Sequence, residues 1–122
     1  MTGDMIPMAA PAPSINRAAA IAQLNDTFRR TLVGGRVVIT PGVAALGEDA
    51  LRTIVRSVAT FTKFDADNDP YGEHDFGSLI HEGTTYFWKI DAYDRACEFG
   101  SPDPLDPVVT CRVLTVMRAD EY

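Results

Sequence analysis

Between Thr84 and Asp94 the side chains alternate with a period of two. Tyr86, Trp88, Ile90 and Ala92 share one face of an extended segment; Thr85, Phe87, Lys89, Asp91 and Tyr93 share the other. One face is almost wholly apolar and must be covered by other parts of the chain. Phe76 to His81 forms a second extended run, and Glu82-Gly83 between them is a tight-turn pair, so a β-hairpin is predicted.

The cover is helical. Over residues 15–32, Ile21, Leu24, Phe28 and Leu32 recur at helical spacing after Ser14, a capping residue, with Asn16, Arg17, Gln23, Asp26, Arg29 and Arg30 on the more polar faces. Gly34-Gly35 stops this helix. Val37 to Thr40 reads as a short strand ended by a Pro41-Gly42 turn. A second helix is predicted over Glu48 to Thr60, with acids in its first turn and Leu51, Ile54, Val55 and Val58 on its apolar stripe. Gly100 to Pro104 is a linker, and Asp106-Pro107 reads as a cap opening a third helix along Val109, Val113, Val116 and Met117. The rival for that last segment is a strand through Cys111 to Met117. The expected fold is α+β: a small, mainly antiparallel sheet of about three strands with two or three helices packed on one face. Residues 1–14, with three prolines, are expected to be a disordered tail, and 15–122 a single domain.

Charge is unevenly divided. Residues 1–61 carry six arginines against four acids, a net of +2; residues 62–122 carry five bases against thirteen acids, a net of −8. Such a surface repels phosphates, so direct nucleic-acid binding is disfavoured and a protein partner with a basic surface is favoured. The start lacks the basic and apolar regions of a signal peptide, and no apolar run is long enough to span a membrane, so a cytoplasmic location is expected. Cys97 and Cys111 form no CxxC pair and are expected to be free thiols. With His74 and His81 they match no familiar zinc spacing.

Asp65 to Asp75 concentrates five carboxylates and one imidazole in eleven residues without a single Lys or Arg. Asp65, Asp67, Asp69 and Glu73 stand at positions 1, 3, 5 and 9 of a calcium loop, which makes calcium or magnesium the cofactor to consider. Pro70 stands where that loop turns on glycine, and Phe76 where it needs a bidentate glutamate. The plainer reading is a connection tied down by Asp and Asn side chains bonding to nearby amides. The candidate binding residues are Asp65, Asp67, Asp69, Tyr71, Glu73, His74 and Asp75, with Asp91, Tyr93 and Asp94 from the long strand. Tyr71, Tyr93 and Tyr122 are aromatic anchors for an interface. No catalytic residue is assigned: no nucleophile motif and no phosphate-binding glycine loop is present.

Several strings carry a family resemblance: Phe64-Asp-Ala-Asp-Asn-Asp-Pro-Tyr-Gly-Glu-His-Asp-Phe-Gly77, Phe87-Trp-Lys-Ile-Asp-Ala-Tyr-Asp94, Gly100-Ser-Pro-Asp-Pro104, and Arg112-Val-Leu-Thr115 with the final Glu121-Tyr122. They resemble the bacterial family known as domain of unknown function 3768, over roughly residues 20–122. The resemblance implies an accessory bacterial protein, often borne on mobile DNA, and brings no established activity. Two functions are therefore expected in order. The first is an accessory protein that binds a macromolecular partner, by analogy a defence-system inhibitor or nucleic-acid mimic; an exposed aromatic strand face would also suit a homodimer. The second is a divalent-cation-dependent hydrolase built on Asp65, Asp67, Asp69, Glu73 and His74.

Overall fold

A computed structural model describes residues 14–122. The tail expected over residues 1–14 lies almost wholly outside the described residues. The elements are helix α1 (Ser14–Thr31), strand β1 (Gly35–Ile39), the short helix α2 (Pro41–Ala44), helix α3 (Glu48–Ala59), strands β2 (Phe76–His81), β3 (Thr84–Tyr93) and β4 (Cys111–Arg118), and a closing 3-10 turn (Ala119–Glu121). The strands form one mixed sheet in the order β1-β4-β3-β2. β2 and β3 are the predicted hairpin, and Glu82 and Gly83 both take positive φ, 48° and 81°, as the turn that matches strand twist requires. β3 pairs antiparallel with β4, and β4 pairs parallel with β1.

The α+β class is as expected, with two corrections. The segment read as a C-terminal helix is β4, a central strand, so the sheet has four strands rather than three. Val113, Thr115 and Val116 are β-branched and lose side-chain freedom in a helix, whereas between two neighbours they pack well. Asp106 does not cap a helix: its Oδ1 accepts the Val108 amide at 2.9 Å in a local turn, as Asp103 does for Leu105 at 3.1 Å. Pro41-Gly42 is likewise not a simple turn but opens α2, where proline suits the first helical position.

The three helices lie on one face of the sheet, where Phe28, Val43, Ile54 and Val58 pack against Tyr86, Trp88, Ile90, Leu114 and Val116. Trp88 is fully buried against Gly77 of β2, where a side chain would collide with the indole. Its Nε1–H finds no acceptor among the described residues. Phe76 and Phe87 lie on the opposite face by strand alternation and gather Tyr122, with ring centroids 5.2–6.1 Å apart. Glu121 clamps that end of the chain: its carboxylate accepts from the Thr40 hydroxyl (2.7 Å) and from the amides of Arg118 (2.8 Å) and Gly42 (2.9 Å). The Thr40 bond above all holds the Glu121 carboxyl below its ordinary range.

Candidate functional site

The buried side of α1 is not the stripe its sequence suggests. Ile21, Ala22, Asn25, Phe28 and Arg29 are buried, while Leu24 is only partly so. Arg29, expected on a polar face, is 1% exposed. It is enclosed because its guanidinium finds a full set of acceptors. Nη1 donates to the carbonyls of Val58 (2.7 Å) and Ala59 (3.2 Å), and Nε and Nη2 donate to Asp26 Oδ1 (3.2 and 2.8 Å). Arg29 thus satisfies carbonyls at the end of α3 while lying 5.3 Å from the ring centroids of Phe64 and Trp88.

The same Asp26 carboxylate reaches the acidic loop. His74 Nδ1 lies 3.0 and 3.1 Å from its two oxygens, and a carboxylate only accepts, so Nδ1 carries the proton. The imidazole stacks on Phe64, centroids 3.9 Å apart and planes parallel. Its Nε2 stands 3.8 Å from Asp69 Oδ2, while Asp69 Oδ1 accepts the amides of Glu73 (3.0 Å) and His74 (3.1 Å). His74 adopts φ 55°, uncommon for a non-glycine, and this bonding holds it there. A second tie runs alongside: Asn25 Nδ2 donates to the Glu73 carbonyl (3.0 Å), and its Oδ1 accepts from Arg112 Nε (2.8 Å). Burial pushes the Arg112 guanidinium down from its ordinary value. An open groove of 540 Å³ beside this network is lined by Ala19, Ala20, Ala22, Gln23, Asp26, Gly72 and His74.

The rest of the loop is self-bonded. Asp65 Oδ1 accepts the amides of Asp67 (2.9 Å) and Asn68 (3.0 Å); Asn68 Oδ1 accepts the Asp65 amide (3.0 Å), and its Nδ2 donates to the Lys63 carbonyl (2.9 Å). Asp65 and Asp67 are exposed, and Tyr71 is 79% exposed near the tip. The calcium-loop spacing is not gathered into a cage: Asp65 and Asp69 spend oxygens on amides. Among the described residues no group of three or more His, Cys, Asp and Glu side chains is placed to hold a metal ion.

Of the residues singled out in the sequence, Asp69, Glu73, His74, Asp75 and Asp91 come together where the loop enters the hairpin. The Asp75 carbonyl accepts the Ile90 amide at 2.9 Å, bringing Asp75 beside Asp91. Burial first, then the carboxylates of Asp75 and Asp69, holds the Glu73 carboxyl above its ordinary value. Asp75 is raised by burial, then by Asp69 and Asp91. Two cations lie near: Arg17, whose charge pulls Glu73 down, and Lys89, whose Nζ is 3.0 Å from Asp91 Oδ2, a pairing that raises the Lys89 ammonium. Asp94 lies elsewhere, with Oδ1 accepting the Glu98 amide at 3.0 Å, and Tyr93 sits beside Lys89 on β3. Asn25, Asp26, Arg29, Phe64 and Arg112 were missed. The available signal was polar Asn25 and Arg29 in phase with Ile21 and Phe28 on one helix face.

Fold and site together define a small α+β protein whose sheet carries its helices on one face and whose acidic loop is bolted to that helical layer. Residues 39–121 match the family described as a protein of unknown function, DUF3768, and the chain belongs to it. No curated protein and no solved structure matches. The matched span begins at the end of β1, so α1, which supplies Asn25, Asp26 and Arg29, lies outside it. No described helix is long and apolar enough to cross a membrane.

Proposed function

We propose that the protein is a non-catalytic accessory protein that docks a macromolecular partner with a basic surface through its acidic loop. The observation that carries this reading is the presentation of Tyr71. It stands 79% exposed between exposed Asp67 and the crowded Glu73 and Asp75, on a loop whose backbone is tied by Asp65, Asn68 and Asp69. A pre-ordered loop loses little freedom on binding, and an exposed aromatic among charges is the usual anchor of an interface. Lysines or arginines from a partner would relieve the carboxylate crowding at Glu73 and Asp75, and the same spacing of negative charge suits mimicry of a phosphate backbone.

Affinity capture from a bacterial host that carries this gene tests the reading. Wild-type protein is expected to recover a basic partner at low ionic strength and to release it as salt rises. Tyr71→Ala and Asp67→Lys should each lower recovery at least tenfold while leaving the melting temperature unchanged. Equal recovery by wild type and both variants would exclude the loop as the docking site. The cation-dependent hydrolase is less well supported, because Asp65 and Asp69 are already engaged by backbone amides. A melting shift at millimolar calcium, magnesium or manganese that disappears in Asp65→Asn would reverse that order.

A further inference from the structure

Cys97 and Cys111, 14 positions apart, are both free, the first half-buried and the second buried. Cys111 opens β4 directly opposite Tyr93, the last residue of β3. From Tyr93 the chain turns back at once. The Cys97 amide donates to the Asp94 carbonyl (2.9 Å), the Asp94 amide to the Phe99 carbonyl (2.8 Å), and Cys97 takes φ 58°. Two bonds lash this turn to the residue preceding Cys111. Arg95 Nη1 donates to the Thr110 carbonyl at 3.1 Å, and the hydroxyls of Ser101 and Thr110 are 2.7 Å apart. The turn is therefore fixed over the start of β4, with one cysteine in each.

We infer that Cys97 and Cys111 are an oxidisable pair, which hydrogen peroxide converts to an intramolecular disulfide stapling the 94–100 turn to the central strand. Cys97, the more accessible thiol, attacks one peroxide oxygen as its thiolate. The O–O bond breaks, the departing hydroxide takes up a proton as water, and Cys97 becomes a sulfenic acid. The Cys111 sulfur then attacks the Cys97 sulfur, the S–O bond breaks, and the hydroxyl leaves with the Cys111 proton as a second water. Two thiols and one peroxide thus give one disulfide and two waters. The Cys111 side chain above all, then partial burial, holds the Cys97 thiol above its ordinary range, with Arg36 pulling it down. The first step should therefore quicken as pH rises into the alkaline range, since only the thiolate attacks.

The test treats the reduced full-length protein with stoichiometric peroxide and follows intact mass, peptide maps and melting. The mass should fall by two hydrogens, one cross-linked peptide pair should join Cys97 to Cys111, and the melting temperature should rise and return with a dithiol reductant. Cys97→Ser, a change in an outer turn, should leave Cys111 unoxidised under the same treatment. Wild-type protein in which Cys97 goes on to sulfinic acid, or links two chains, while Cys111 remains a free thiol would overturn the inference.

Discussion

Two carboxylate groups flank His74, and they differ in what neutralises them. On the helix side Asp26 is met by Arg29 and by the Nδ1 proton of His74, and Asp69 accepts two amides, so each charge has defined partners. On the hairpin side Glu73 and Asp75 are both raised by burial and by neighbouring carboxylates, and the one ammonium nearby is engaged by Asp91. The first set is a bolt fastening the loop to α1 and α3; the second is a crowded corner, only partly offset by Arg17 near Glu73 and by a backbone amide and His74 near Asp75. One short loop therefore carries two kinds of charge: those with defined partners give it a fixed shape, and those crowded at the hairpin are left partly unrelieved.

Breaking the bolt should have the largest effect. Arg29→Ala leaves Asp26 with His74 alone, strands two α3 carbonyls and empties space beneath Trp88, so a loss of about 3–5 kcal/mol is expected. Urea denaturation reads it as a lower midpoint with an unchanged slope. A loss under about 1 kcal/mol would mean that water replaces the guanidinium, and the distinction between bolt and corner would fail. Asp69→Ala is the intermediate case. It leaves the amides of Glu73 and His74 without an acceptor and should cost about 1–3 kcal/mol. Because His74 is held at φ 55°, amide hydrogen exchange at residues 72–75 should accelerate more than in α3. Uniform acceleration would show that the loop and core open as one unit.

These two sides of the loop were not equally legible in sequence. The hairpin was, because β3 has one covered face and alternates cleanly; α3 was, because acids at its start and an apolar stripe agree. β4 was not: it is buried between two strands, and its near-continuous apolar run carries neither period clearly. Arg29 and Arg30 are adjacent and chemically identical, yet one is buried and the other exposed. What separates them is the end of α3, thirty residues on, and no local pattern announces that contact. The self-bonded character of Asp65 to Asn68 followed from residue types alone, because Asp and Asn bond amides two or three positions away. The approach of Asp91 to Asp75 depends on hairpin register and required the fold.

The smallest effect isolates the corner. A carboxyl held above its unfolded-state pKa prefers its protonated form in the fold. Its stabilising contribution is therefore full below the ordinary carboxylate range and lost as pH rises through the folded value. Glu73 and Asp75 both follow this sign, so at neutral pH their charges weaken the fold. Asp75→Asn removes one charge and lightens the burden on Glu73, with little change in shape. It should stabilise the protein at neutral pH by under about 1 kcal/mol, since both groups remain partly exposed to screening solvent. The advantage should shrink as the pH is lowered through the acidic range and the wild-type carboxyls protonate. Melting curves for the two proteins across that range measure it directly. A variant less stable than wild type at neutral pH would show that the Asp75 carboxylate is as firmly partnered as Asp26, and the corner would then belong to the bolt.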